Sequence, residues 1–485
     1  MATGARPFAA TVAGDAALTV SRCGGLSADR LACHTVAMSD STVPFAHRPL
    51  PAWYDDAKFG IFIHWGPYAV PCYAPLDNDM GDLFAAGDWT AAFRSSPYTE
   101  WYLNSWALEG SATALHHEQT YGDRTYASFV DEFRSRSSGV DVARWADLFA
   151  AAGARYVVPV TKHHDGFLMW RSDVPNPHRA NWMAERDHVG ELATASRECG
   201  MRFGTYYSGG LDWTFSTPGF DSIMGMVQNI PVSPEYCEYA VAHVNELVDR
   251  YSPSLLWNDI AWPMPLDPSD TFRRYYERVP DGIVNDRFNI IAVGQGTLHA
   301  DIATPEYSTK ASSDRKWEVC RGIGRSFGYN RMETEATMPT ADELVWMLVD
   351  IVARGGNLLL NVGPTADGQI PMAQAARLTA LGWWLRVNGD AIYGTRPWRV
   401  QTALAGDGRE VRYTAKDDTV FASIAGGPSG HIRLPGVSVA AGSTVRMLGN
   451  SCELAHHVDG DDLVISLADH LPASPATVFA IAGAY

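Results

Sequence analysis

From Lys58 onward, short apolar runs alternate with segments whose apolar positions recur every three to four residues. The runs Lys58 to His64, Tyr156 to Lys162, Arg202 to Ser208, Ser254 to Ile260, Ile283 to Phe288 and Asn357 to Gly363 are short and largely apolar, as strands buried on both faces are. Helix ends are legible between them. Asp141 reads as an N-cap, followed by Trp145, Leu148, Phe149 and Ala152 at helical spacing and by Gly153 as the stop. Ser233-Pro234 opens a second helix that runs to about Arg250. A third starts at the capping box from Thr340 to Glu343 and carries Leu344, Met347, Leu348, Ile351 and Val352 on one face. Strands and helices alternating at this pace predict a parallel sheet, closed as a (β/α) barrel or left open and doubly wound.

The period changes after Gly394. Residues 395–485 hold no long helical pattern and instead show Glu410 to Ala415, Thr419 to Ile424 and Asp462 to Leu467 between Gly, Pro, Asn and Asp turns, which predicts a small antiparallel β-sandwich. The first 45 residues match neither pattern. Arg6 precedes a weakly apolar stretch that Asp15 interrupts, without a twin arginine or a small-residue cleavage site. They are expected to form a disordered extension, or to precede a start at Met38, and are set apart from the catalytic region 46–394.

Charge and cysteine usage narrow the classes. With 38 basic and 55 acidic residues the net charge is -17, which argues against nucleic acid or an anionic membrane as a partner. No apolar run approaches the roughly 20 residues of a membrane span. The seven cysteines include no CxxC pair, and no Asn-x-Ser/Thr acceptor occurs, so a cytoplasmic, reducing compartment is expected.

Several strand candidates end in polar groups: His64, the triplet His163-His164-Asp165, Asn258-Asp259 and Asn285-Asp286-Arg287. In a barrel the C-terminal strand ends converge on one mouth, where such groups meet ligands. Trp257 and Asp259 are two residues apart and so share one side of a strand, which sets a carboxylate beside an indole. With 16 Trp and 20 Tyr, this inventory suits a carbohydrate, whose C–H faces pack on aromatic rings. Neighbouring residues on a strand face opposite ways, and no HExxH-like spacing supports a metal at His163 and His164.

Nine blocks carry a more specific signal: AKFGIFIHWGPYAVP (57–71), EWYLN (100–104), VTKHHDGF (160–167), YYSGGLDW (206–213), LLWNDIAWP (255–263), VNDRF (284–288), TPEY (304–307), WEVCRGIGRSFGYNR (317–331) and GGNLLLNVGPTADGQIP (355–371). In this order they resemble the α-L-fucosidases of glycoside hydrolase family 29. The resemblance implies a (β/α)8-like barrel followed by the C-terminal antiparallel β-sandwich, and a retaining exo-α-L-fucosidase that releases terminal fucose from fucosylated oligosaccharides through a covalent fucosyl-enzyme intermediate. A transfucosidase shares every residue of this reading, and a fucose-binding protein with weak catalysis is a further alternative.

By match to the family's motifs, Asp259 is the nucleophile and Glu306 the acid/base, with Glu100 and Glu318 as alternatives for the latter. His64, Trp101, His163, His164 and Arg287 resemble the groups that bind the fucose hydroxyls and ring. Phe62, Tyr206, Trp257 and Phe327 resemble a wall around the C6 methyl, Glu100 a pocket carboxylate, and Tyr98 a residue at the rim. No cofactor or metal is implied, because acid, base and nucleophile are all side chains. The expected partner is a fucosylated oligosaccharide, with no nucleic acid and no membrane. A homo-oligomer is compatible with the chain, and the number of subunits stays open.

Overall fold

The apolar runs of the first four hundred residues pair side by side, because strands whose residues are buried on both faces find partners only within a sheet covered on both sides. A computed structural model describes residues 45, 48–264, 266–290, 298–307, 315–450, 452–467, 471 and 473–485. The expected extension over 1–45 lies outside them except for Phe45, as does the start at Met38. Seven strands, β1 (Phe59–Ile63), β2 (Tyr156–Lys162), β3 (Arg202–Ser208), β4 (Leu255–Asp259), β5 (Ile283–Val284), β6 (Glu318–Gly322) and β7 (Asn357–Val362), form a parallel sheet in the order β5-β4-β3-β2-β1-β7-β6. Every residue in them is buried except Arg202 and Arg321, which are half-buried.

The gap between the edge strands β5 and β6 is filled by residues 302–306. Ile302 bridges Asn285 just past β5, while Ala303 bridges Trp317 and Glu306 bridges Cys320, all in parallel. These residues act as an eighth staggered segment and close the sheet as a (β/α)8 barrel. Two details differ from the sequence reading. The run Ile283 to Phe288 is a strand only at Ile283 and Val284, and Asp286–Phe288 is a 3-10 turn. β6 escaped the apolar pattern because Glu318 and Arg321 break its run.

The connecting helices cover the barrel. Pro234–Tyr251 starts where Ser233 Oγ accepts from the Tyr236 N–H at 3.2 Å. Ala341–Ala353 has its reciprocal capping box, the Thr340 N–H donating to Glu343 Oε2 at 2.7 Å and the Glu343 N–H to Thr340 Oγ1 at 3.2 Å. It buries Leu344, Leu348, Ile351 and Val352 completely, side chains each worth about 1.5–3 kcal/mol when withdrawn from water. Asp141 is not the N-cap of its helix, which runs from Ala143 to Ala151 with Val142 in that position; its carboxylate instead accepts from the Ala143 N–H at 3.1 Å.

After Gly394 come β8 (Arg396–Leu404), β9 (Glu410–Lys416), β10 (Thr419–Ala425), β11 (His431–Leu434), β12 (Val445–Met447), β13 (His456–Asp459), β14 (Asp462–Ser466) and β15 (Ala476–Ala482). They make two antiparallel sheets, β12-β15-β10-β9-β8 and β11-β14-β13. Val411, Tyr413, Ile424 and Phe479 of the first meet Ile432, Leu434, Leu463 and Ile465 of the second in one core, a β-sandwich. It is fastened to the barrel by an Arg412–Asp350 ion pair and by the Trp384 indole, which donates to the Ala476 carbonyl at 3.0 Å.

Candidate active site

Parallel register decides which side chains share the barrel mouth. β3 and β4 pair with Tyr206 opposite Trp257 and Ser208 opposite Asp259, so alternate residues of both strands project together. They border a cavity of about 310 Å³ at the C-terminal strand ends, lined by Phe62, His64, Tyr98, Glu100, Trp101, His163, Tyr206, Trp257, Asp259, Arg287, Glu306 and Phe327. Every residue expected at the site is thus in its wall save His164, whose Nε2 lies 3.9 Å from Asp259 Oδ2.

Asp259 ends β4 and receives three hydrogen bonds. Tyr206 Oη donates to Oδ2 at 2.8 Å, and Arg287 Nη1 and the Ile260 N–H donate to Oδ1, both at 2.9 Å. The last is available because Ile260 adopts φ 68°, a left-handed conformation that is unfavourable for a β-branched residue and folds its N–H back onto the preceding carboxylate. Burial pushes the Asp259 carboxyl up, but the Arg287 charge and the hydrogen bonds from Tyr206 and Arg287 hold it below the usual carboxylate range.

Arg287 is shared. Its Nη1 holds Asp259, while its Nη2 reaches Glu306 Oε2 at 3.2 Å and the Thr304 carbonyl at 3.1 Å. The guanidinium lies 4.6 Å from the centre of the Trp257 ring, a cation–π contact in a desolvated setting. Glu306 also accepts from Tyr98 Oη at 2.5 Å, and the next residue, Tyr307, again has a left-handed φ of 55°. The chain therefore turns sharply after each of the two carboxylates.

Glu100 and Glu318 occupy different surroundings. Glu318 is fully buried outside the cavity wall and accepts from Tyr54 Oη at 2.8 Å, from Tyr156 Oη and from the Trp257 indole at 3.3 Å; burial pushes its carboxyl up to about 7. Glu100 faces the cavity and accepts from the Gly328 N–H at 2.8 Å and from Ser326 Oγ at 3.3 Å. Burial outweighs those bonds and raises it to about 8.

Burial disfavours the charged form of the three histidines, and hydrogen-bond partners fix the tautomers of His64 and His164. Asn361 donates its amide to the Phe327 carbonyl at 2.6 Å, which turns Oδ1 toward His64 Nδ1 at 2.7 Å. His64 Nδ1 must then carry the proton and Nε2 is an acceptor; burial lowers this ring to about 4. Ser208 Oγ donates to the Leu211 carbonyl and so accepts from His164 Nδ1 at 2.7 Å. His164 Nε2 is thereby a buried acceptor without a hydrogen-bond partner, and burial lowers that ring to about 3. His163, lowered well below 6.5 by burial, stacks parallel to Tyr206 with centroids 5.5 Å apart. The two histidines do not face opposite ways as their adjacency predicted. β2 ends at Lys162, the strand alternation ends with it, and the rings lie 4.0 Å apart. Among the described residues no three His, Cys, Asp or Glu are placed to hold a metal ion.

The apolar wall is Phe62, ringed by Trp257 at 5.0 Å, Tyr206 at 5.7 Å and Phe327 at 6.3 Å, with Tyr206 and Trp257 stacked at 5.4 Å. Trp101 faces His164 at 4.9 Å. Sequence reasoning missed Thr304 and Cys320, which also line the cavity, and Asn361 and Ser208, which orient the histidines. Asn361 interrupts the apolar run that starts at Leu358 in β7, a signal that could have been read; Ser208 carries no signal of its own.

Two carboxylates on one guanidinium, neutral imidazole acceptors and a four-ring apolar wall can hold a deoxysugar and cleave its glycosidic bond. A family model described as alpha-L-fucosidase matches residues 31–390. The chain is 35% identical to the tissue alpha-L-fucosidase of Bos taurus over 453 residues, 89% of this chain and 88% of that protein. Solved structures of the Thermotoga maritima alpha-fucosidase, one in complex with a mechanism-based inhibitor and one in complex with fucose, superpose with TM-scores of 0.79 and 0.78 at 42% and 41% identity, each covering 89% of this chain and 97% of theirs. The barrel, the sandwich behind it and the matched sequence along nearly the whole length agree: this chain belongs to the α-L-fucosidase family of glycoside hydrolases.

Proposed function

We propose that this α-L-fucosidase is an exo-acting, retaining enzyme in which Asp259 attacks the anomeric carbon and Glu306 serves as acid and then base. The observation that carries the proposal is the Arg287 bridge between the two carboxylates. Asp259, held ionised by three donors, attacks C1 of a bound fucoside while Glu306 protonates the departing oxygen, leaving a fucosyl ester on Asp259. Glu306 then takes a proton from water, the water oxygen bonds to C1, and the ester bond breaks to release α-L-fucose.

Arg287 gives these steps a constant electrostatic partner. Before attack its charge faces the Asp259 carboxylate; in the ester Asp259 is neutral, and the same guanidinium faces Glu306, which has just lost its proton and must act as a base. One negative charge stays opposite one positive charge throughout. Glu318 is not suited to the acid role, because three buried donors already hold it away from the cavity.

In this reading the hydroxyls of fucose meet His64 Nε2, His163, His164 Nε2, Trp101 and Glu100, and the C6 methyl meets Phe62, Tyr206, Trp257 and Phe327. That the Thermotoga maritima enzyme binds fucose supports the sugar's identity. The five described cysteines, 72, 199, 237, 320 and 452, carry free thiols, which supports a cytoplasmic setting; cell fractionation tests it, and activity confined to the culture medium of intact cells would refute it.

The direct test is hydrolysis of 4-nitrophenyl α-L-fucopyranoside, followed by NMR. Release from the α-fucoside and not from the β-fucoside or an α-galactoside, with the α anomer of fucose formed first, is the expected result. A β anomer formed first would overturn the retaining mechanism.

A further inference from the structure

The cavity has two chemically distinct ends. The strand ends supply its charged and hydrogen-bonding groups, while the outer side is built by helices inserted between strands. Met80–Ala86 and Trp89–Arg94 lie between β1 and β2, and Ile223–Gln228 between β3 and β4. Into the cavity these helices send Met80, Phe84, Trp89, Phe93, Ile223 and Met226. None brings a charge or a hydroxyl.

This side is packed rather than loose. Phe84 and Trp89 lie 5.1 Å apart, and Phe93 contacts Trp101 at 5.7 Å and Phe220 at 5.5 Å. Phe93 and Met226 belong to one buried cluster against which Ile223 packs, and Met80 belongs to the core cluster that holds Phe62 and Trp257. Trp89 keeps 38% of its surface exposed at the outer edge, where a large apolar side chain on a packed wall still offers a face.

We infer that the leaving-group side of this active site is built for an apolar aglycone, an alkyl or aryl group, in preference to a sugar. The inference rests on the reading of the strand-end groups as the fucose site. A sugar aglycone would find on this wall only the Trp89 indole N–H and, just past the second helix, the Ser96 hydroxyl, and would lose the hydration of its other hydroxyls uncompensated. An alkyl chain gains instead, by up to roughly fourfold in binding for each methylene withdrawn from water. The inserted helices follow the C-terminal ends of β1 and β3, so their apolar side chains lie outward of the strand-end groups, on the side where a leaving group departs.

The test is a series of methyl, butyl and octyl α-L-fucosides, whose leaving groups differ little in acidity, set beside a fucosyl-galactose disaccharide. We expect kcat/KM to rise at least tenfold from methyl to butyl, and the butyl fucoside to exceed the disaccharide. Trp89→Ser should cut the butyl-to-methyl ratio about fivefold, and Trp89→Phe should restore most of it. A wild-type series flat within twofold, or a disaccharide preferred over the butyl fucoside, overturns the inference while leaving the fucosidase reading intact. Failure to cleave any of these α-fucosides, or 4-nitrophenyl α-L-fucoside, overturns the reading of the site and this inference with it.

Discussion

Asp259 and Glu306 are held by the two terminal nitrogens of one guanidinium, at 2.9 and 3.2 Å. A retaining glycosidase needs its carboxyl groups about 5–5.5 Å apart, whereas an inverting enzyme needs room for a water between them. The shared arginine makes each carboxylate's behaviour depend on the other.

Removal of Asp259, the proposed nucleophile, gives the sharpest test. Asp259→Gly should fold, because Arg287 keeps its ion pair with Glu306, yet lose on the order of 10³-fold or more in kcat. Added azide should then yield a fucosyl azide of inverted, β configuration. Turnover near that of the parent would remove Asp259 from the mechanism.

Glu306→Ala should separate substrates by leaving group. General acid catalysis is worth roughly 10²–10⁴-fold, and a nitrophenolate hardly needs it, so the loss on 4-nitrophenyl fucoside should be at least tenfold smaller than on a fucosyl disaccharide. Azide should accelerate the variant and give the α-fucosyl azide. Equal losses without azide products would shift the role to Glu100, the other carboxyl in the cavity wall.

Arg287→Lys tests the bridge itself. A lysine offers one compact charge in place of a planar fork and cannot hold both carboxylates with the same geometry. We expect roughly a 100-fold loss in kcat/KM. Arg287 is the foremost of the groups that lower the Asp259 carboxyl against its burial, so weakening it must raise that pKa, and the acid limb of the kcat/KM profile should move to higher pH. An unmoved limb would mean that Asp259 does not depend on this arginine.

Glu100 carries a pH signature in stability. Burial raises it to about 8, above the roughly 4.3 of an unfolded chain. Its contribution is therefore complete below about pH 4.3 and is lost as the pH rises toward 8, because the folded state keeps a proton that the unfolded state has released. Glu100→Gln cannot ionise, so the Tm of the variant relative to the parent should climb by several degrees between pH 4 and 8 in scanning calorimetry. A difference independent of pH would show that Glu100 is ionised in the folded protein.

The wall proposed to meet the C6 methyl should set a modest selectivity. An apolar pocket discriminates poorly against an added hydroxyl, by roughly 100-fold at most, so the α-L-galactoside, which is fucose with a hydroxyl on C6, should be cleaved 10–100-fold more slowly than the fucoside. Complete rejection would require a polar group directed at C6, which Phe62, Tyr206, Trp257 and Phe327 do not supply through their ring faces.

Local chemistry was enough to determine part of this protein from sequence. β2 and β3 run over the residues that their apolar patterns marked, and the capping box at Thr340 forms with both of its bonds. Such features depend on neighbours in the chain, which the sequence states directly. Trp257 and Asp259 share one side of β4 for the same reason.

Other features depend on distant segments meeting. Residues 302–306 join the barrel through single bridges to β5 and β6, with too few ladder bonds to leave a strand pattern. Three glutamates, 100, 306 and 318, are alike as residues; only packing buries one under tyrosines, raises another by desolvation and sets the third against Arg287. The orientation of His64 and His164 comes from Asn361 and Ser208 on other strands. The apolar character of the outer wall arises when two neighbouring short helices after β1 and a third, remote in sequence, after β3 turn their apolar sides into one cavity. Strand and helix follow from the spacing of apolar residues along the chain, while proton affinity, tautomer and the lining of a cavity follow from what surrounds a group in space, and that the tertiary structure alone decided.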